Sequence, residues 1–288
     1  LLGLIVGLIS GVGLSFFRDY LDDTLKDPEQ MRNVLAMPFL AMIPFISAKD
    51  GDAAMTSHNE PRSPASEAFR SLRTGLKFCA LAKERNVTLV TSTLSGEGKS
   101  TVALNLAITL AHTGARVLIV DCDLRRSTLH EKFSMPKGKG LTELLLGEIG
   151  VAAAIKASKV DGLDLLQAGY YPPNPAELLG SEAMALFIEE MRKTYSHIVI
   201  DAPPLLAVSD TLVLIPIADL LILVLESGRV PARAALRMRE MLVAAAAPVA
   251  GLVISEKSAR SAGFGYGYGY RYGYQIEEEP KKPRWHWK

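Results

Sequence analysis

Short apolar runs rich in β-branched residues recur through the middle of the chain, and stretches with helical spacing separate them. VTLVTST (87–93), RVLIVD (116–121), LDLL (163–166), HIVID (197–201), LLILVLE (220–226) and VAGLVIS (249–255) read as strands. Helices are predicted over 65–83, 99–112, 141–147 and 151–157, and one long helix over 175–195. Near-continuous apolar strands alternating with helices imply an α/β fold, a mostly parallel sheet covered by helices on both faces.

The two ends of the chain depart from this pattern. LLGLIVGLISGVGLSFF (1–17) carries no charge over 17 residues, close to the ~20 apolar residues that span a bilayer. Gly3, Gly7 and Gly11 stand at four-residue spacing, which lets membrane helices pack closely. The segment reads as the C-terminal part of a transmembrane helix, with a buried core helix as the alternative. Arg18 and Lys26 follow it and place the remainder on the cytoplasmic side. Residues 18–64 read as a juxtamembrane segment broken at Pro38 and Pro44, then a small, polar linker; 65–260 form the catalytic-sized domain and 261–288 a tail.

Composition narrows the partners. A net charge of +1 with scattered Lys and Arg gives no field for nucleic acid, which is not expected as a partner. Cys79 and Cys122 have no metal-ligand or redox spacing, consistent with a reducing cytoplasm.

The chemistry lies between the first strand and its helix. In TLSGEGKST (93–101) the loop Ser95, Gly96, Glu97, Gly98, Lys99, Ser100 and Thr101 leaves a strand and opens a helix, as a phosphate-binding loop must. N–H groups at the helix start face the anion, Lys99 reaches the β- and γ-phosphates of ATP, and Ser100 binds Mg²⁺. Thr93 stands where the usual pattern has its first Gly. VLIVDCD ends a strand with Asp121 and Asp123, and IVIDAPP ends another with Asp201. The carboxyl ends of parallel strands line the ligand crevice, so all three carboxylates are expected to face the loop. Helix capping is the plainer reading of any one of them. Arg125, two residues beyond Asp123, is a candidate for charge developing on the γ-phosphoryl group, or simply a surface residue.

In the tail, FGYGYGYRYGY holds Tyr266, Tyr268, Tyr270, Tyr272 and Tyr274, five of the nine tyrosines, with no aliphatic face to bury. A sticky aromatic segment for association is one reading of it.

GEGKST, VLIVDCDLRR, IVIDAPP, YPPNPAELLGS (171–181) and the Tyr-rich terminus together resemble the bacterial tyrosine kinase family of exopolysaccharide and capsule systems. The resemblance implies a P-loop kinase using ATP and Mg²⁺ that autophosphorylates the tail tyrosines in trans within a homo-oligomeric ring. It implies Lys99, Asp121, Asp123 and Asp201 as catalytic, with Ser100, Asp123 and Asp201 around the metal and Asp121 on the acceptor phenol. Glu67, Arg70 and Arg73 match its E-x-x-R-x-x-R subunit-interface motif, although spacing alone reads as a solvated face. It further implies a bacterial inner-membrane location with the kinase domain cytoplasmic, a protein-tyrosine phosphatase, and polysaccharide polymerase or export partners. Two alternatives stay open: a partition or septum-site type ATPase, whose second P-loop lysine is replaced here by Leu94, and a non-catalytic ATP-binding subunit. Ser255 and Ala202 depart from the family's usual residues.

Overall fold

The computed structural model describes residues 22–46, 53–80 and 86–256, with positions 3, 7, 10–14 and 17 before them. Among the described residues no helix is long and apolar enough to cross a membrane. Most of the apolar opening and the whole tail with its five tyrosines lie outside the described residues.

Eight strands form one sheet: β1 (Phe39–Ile43), β2 (Val87–Ser92), β3 (Val117–Asp121), β4 (Ile155–Ala157), β5 (Leu163–Leu166), β6 (His197–Asp201), β7 (Leu220–Glu226) and β8 (Val249–Ser255). Their spatial order is β1-β8-β7-β2-β6-β3-β5-β4. All neighbours are parallel except β4 and β5, so the expected mostly parallel sheet is present. The longer helices are α1 (Pro28–Leu35), α2 (Pro64–Ala80), α3 (Lys99–Ala111), α4 (Glu182–Arg192) and α5 (Ala232–Ala244).

Strand alternation sends side chains to both faces, and both are apolar. Leu221, Leu223 and Leu225 of β7 pack with Met31 and Leu35 of α1, Met184 and Ile188 of α4, and Met238 and Leu242 of α5. Ile222 and Val224 pack on the other side with Phe69 and Leu72 of α2 and Leu104 and Ile108 of α3. Helices therefore close both faces, which is why these strands carry no polar alternation.

Four local elements differ from the sequence expectation. Between Pro38 and Pro44, read as pattern breakers, lies β1, an edge strand parallel to β8; an edge tolerates flanking prolines because one side needs no ladder partner. The linker is docked where it is described: Asn105 of α3 accepts from Ser57 N at 2.8 Å and donates to Ala54 O at 2.8 Å. The single helix expected over 175–195 is two, Pro175–Leu179 and α4, because Ser181 adopts an extended N-cap and accepts from Met184 N. The helix expected over 151–157 ends at Ala154, and its last three residues pair antiparallel with β5.

Residues 23–25 join the sheet's upper rim. Leu25 N donates to Val230 O at 2.9 Å and Gly228 N to Leu25 O at 2.8 Å, which fixes the loop after β7.

Candidate active site

The site is built by three adjacent strands ending at one level. β2 and β3 both flank β6, and the register places Asp201 opposite Asp121 and beside Val90. The loop leaving β2 therefore lies against two carboxylate-bearing strand ends. Gly96 (φ +84°) and Gly98 (φ +92°) take the left-handed conformations that bend the chain back into α3.

Lys99 sits at the floor of that loop. Its ammonium is 2.9 Å from Asp123 Oδ2 and 3.2 Å from Asp201 Oδ1, and all three side chains are buried. Burial works against the Lys99 charge, but Asp201 and Asp123 outweigh it and hold its pKa above the ordinary lysine value. Asp121 is fully buried and accepts from Ser127 Oγ at 2.8 Å, Leu129 N at 3.3 Å and Asp123 N at 3.1 Å. Burial first, then the neighbouring Asp201 charge, pushes its pKa up to about 7. Asp201 is raised too, again chiefly by burial and against the pull of Lys99.

The donor set fits a hydrated Mg²⁺. Asp201 Oδ2 is buried and has no hydrogen-bond partner in the protein, leaving an acceptor for a metal-bound water. Among the described residues no three His, Cys, Asp or Glu side chains form a ready-made metal cage.

The structure thus brings Lys99, Asp121, Asp123, Asp201 and the 95–101 loop together, and it redirects several other residues. The Glu97 side chain turns inward, accepting from Leu94 N at 2.5 Å and Glu226 N at 3.3 Å. Arg125, a candidate for the γ-phosphoryl charge, instead forms a two-point pair with Asp210 at 2.8 and 3.1 Å. Of the three residues expected at a subunit interface, Arg70 pairs with Glu67 on the same helix and donates to Pro61 O at 2.7 Å. Arg73 donates to Thr109 O at 2.6 Å in the last turn of α3, so all three residues have partners within this chain, and Arg73 alone reaches across to another helix.

Two residues absent from the sequence expectation also reach the loop. Lys132 Nζ lies 3.2 Å from Thr101 Oγ1. Arg229 donates to Ser95 O at 2.7 Å and to Gly96 O at 3.2 Å. Neither carried a legible signal: the basic residue shortly after Asp123 is Arg125, which pairs with Asp210, and the loop partners of Lys132 and Arg229 lie 31, 133 and 134 positions away.

Fold and site together define a P-loop nucleotide-binding protein. Residues 87–237 match the AAA domain family. The tyrosine-protein kinase YwqD of Bacillus subtilis is 38% identical over 198 residues, covering 69% of this chain and 84% of that protein. The putative tyrosine-protein kinase EpsB of Ralstonia solanacearum is 32% identical over 235 residues, 78% of this chain, and the chain spans only 31% of its length. Among solved structures, the kinase domain of the Escherichia coli tyrosine kinase ETK superposes with a TM-score of 0.74 at 28% identity, over 83% of this chain and 98% of that one. The chain belongs to the bacterial tyrosine-protein kinase family.

Proposed function

We propose that this chain is an ATP-dependent protein-tyrosine autokinase that regulates exopolysaccharide polymerisation or export by phosphorylating its own C-terminal tyrosines. The observation that carries the reading is the Lys99 ammonium held between Asp123 and Asp201 beneath a helix-opening glycine loop. Loop N–H groups bind the polyphosphate and Lys99 moves onto the β- and γ-phosphate oxygens. Ser100, Asp123 and Asp201 would hold Mg²⁺, which supplies charge neutralisation on those oxygens. Asp121 orients the acceptor phenol and takes its proton; burial makes it a stronger base than an exposed carboxylate. The phenolic oxygen attacks the γ-phosphorus, the bond to the bridging oxygen breaks, and ADP leaves.

The acceptors are Tyr266, Tyr268, Tyr270, Tyr272 and Tyr274, presented to a neighbouring subunit of a homo-oligomeric ring. Glu67 and Arg70, exposed or half-exposed on α2, are the members of the interface triad best placed to reach that neighbour. The apolar stretch 1–17 anchors the chain in the bacterial inner membrane, with the kinase on its cytoplasmic side. A protein-tyrosine phosphatase resets the tail, and polysaccharide polymerase or export proteins read its charge. Incubating the protein with Mg-ATP and mapping modified residues tests the reading. Phosphotyrosine in the tail, lost in Lys99→Met, is the expected result; full labelling of Lys99→Met, or phosphate release with an unmodified tail, would overturn it.

A further inference from the structure

The backbone of the phosphate loop is gripped from outside by two residues distant in sequence, one in the loop after β7 and one at the end of β8. Arg229 Nη2 donates to Ser95 O at 2.7 Å, and Arg229 Nη1 donates to Gly96 O at 3.2 Å. Ser255 Oγ, at the end of β8, donates to Glu97 O at 2.9 Å, a closer approach than its 3.4 Å to Leu225 O. Three successive peptide carbonyls thus have their oxygens held by side chains arriving from β8 and the loop after β7.

A trans peptide is planar, so its N–H points opposite to its C=O, and the described chain has no cis peptide. The carbonyls of Ser95, Gly96 and Glu97 share their planes with the N–H groups of Gly96, Glu97 and Gly98. Holding the oxygens on one side turns those three N–H groups to the other. Among the described residues no protein acceptor takes any of them. Successive N–H groups turned to one side form an anion-binding concavity.

We propose that Arg229 and Ser255 are positioning residues that preset the P-loop N–H groups for a nucleotide polyphosphate, acting through the loop's backbone rather than on the phosphate. The inference rests on reading the loop as the ATP site. Arg229 is itself fixed, by Glu226 Oε2 at 3.0 Å and by the pairing of its loop with Leu25. Gly96 serves this arrangement directly: a Cβ there would lie 3.0 Å from Arg229 Nη2, at a φ of +84° that side chains avoid. A loop whose peptides are already oriented does not lose that freedom on binding, so the clamp acts on affinity for the phosphates.

The test is calorimetric titration of Mg-ADP into the full chain and four variants, with thermal melting of each nucleotide-free protein as a control for folding. Arg229→Ala removes two charge-assisted hydrogen bonds and is expected to weaken Mg-ADP binding about tenfold or more. Ser255→Ala, which removes a neutral donor with no charge to offer a phosphate, is expected to weaken it about threefold. Arg229→Lys and Ser255→Thr each retain a donor and should recover part of the loss. Wild-type affinity in both alanine variants overturns the clamp, and so does a loss that neither conservative variant relieves. Should Arg229→Ala fail to fold, Ser255→Ala and its threonine rescue decide alone. The outcome is separable from the kinase reading: a protein that binds Mg-ADP through the clamp yet makes no phosphotyrosine refutes only the latter.

Discussion

The Lys132 ammonium stands 3.2 Å from the Thr101 hydroxyl, where the phosphate loop passes into α3. Among the described residues no carboxylate pairs with it, and burial lowers its pKa. A cation in that position has its charge available for a phosphate. Lys132→Met deletes that charge and is expected to raise the KM for Mg-ATP about tenfold, the usual worth of a charge-assisted hydrogen bond to phosphate. The apo melting temperature should be unchanged or higher. Arg should substitute better than Met. An unaltered KM in Lys132→Met would place the lysine outside the nucleotide site.

Arg73 and Arg70, three residues apart on α2, make opposite predictions. Arg73 donates to Thr109 O at the C-terminal end of α3, where a cation meets the helix dipole and an otherwise orphan carbonyl. Arg73→Ala should cost about 1–2 kcal/mol of stability. Arg70 and Glu67 form a surface pair worth about a few tenths of a kcal/mol, so Arg70→Ala should leave melting nearly unchanged. If the ring forms through this face, Arg70→Ala lowers the oligomer mass in sedimentation while keeping its melting temperature. A reversal of the two phenotypes would show that the geometry assigns them wrongly.

Glu97 carries a pH dependence whose sign follows from its burial. Desolvation raises its carboxyl from 4.5 to about 7, against hydrogen bonds from Leu94 and Glu226 N–H and the Arg229 charge. The folded state therefore holds a proton that the unfolded state has lost between pH 4.5 and 7. Bound protons in the folded state mean that this contribution falls as pH rises through that window and is fully lost above it. Asp121 and Asp201 shift in the same direction, so the difference between Glu97→Gln and wild type is the measurement. Denaturation at pH 5 and pH 8 should show a smaller loss of stability in Glu97→Gln. Identical losses would mean that Glu97 is already ionised at pH 5.

Much of this was legible because it is local in sequence. Apolar runs marked six of the strands, and the strand-end rule brought Asp121, Asp123 and Asp201 to the loop, since parallel strands of matched register end together. What escaped was non-local. β1 is five residues between two prolines and is a strand only by virtue of pairing with β8. Asn105 fastens residues 54 and 57 from within a helix whose polar positions otherwise read as incidental. The break between Pro175–Leu179 and α4 was visible in Gly180 and Ser181, but helical spacing on both sides concealed it. Arg73 is a further case: its place on α2 is readable from the sequence, while its partner on α3 could not be inferred from spacing on α2.

Lys99 has a structural role beside its chemical one, and the two can be separated. It is the cation for Asp123 and Asp201 and lowers the pKa of the buried Asp121 against the effect of burial. Removing one partner from a buried ion pair strands the other, at a typical cost of about 3–5 kcal/mol. Lys99→Met should therefore be less stable than wild type at pH 8. It should recover toward acid pH, because the orphaned carboxylates escape the penalty by taking up protons. Lys99→Met/Asp123→Asn removes one stranded charge and should regain part of the stability at pH 8 while making no phosphotyrosine. If the double variant melted no higher than Lys99→Met, the lysine would not be the counterion that its distances describe. Recovery of stability without activity would show that these three residues hold the site together before any nucleotide arrives.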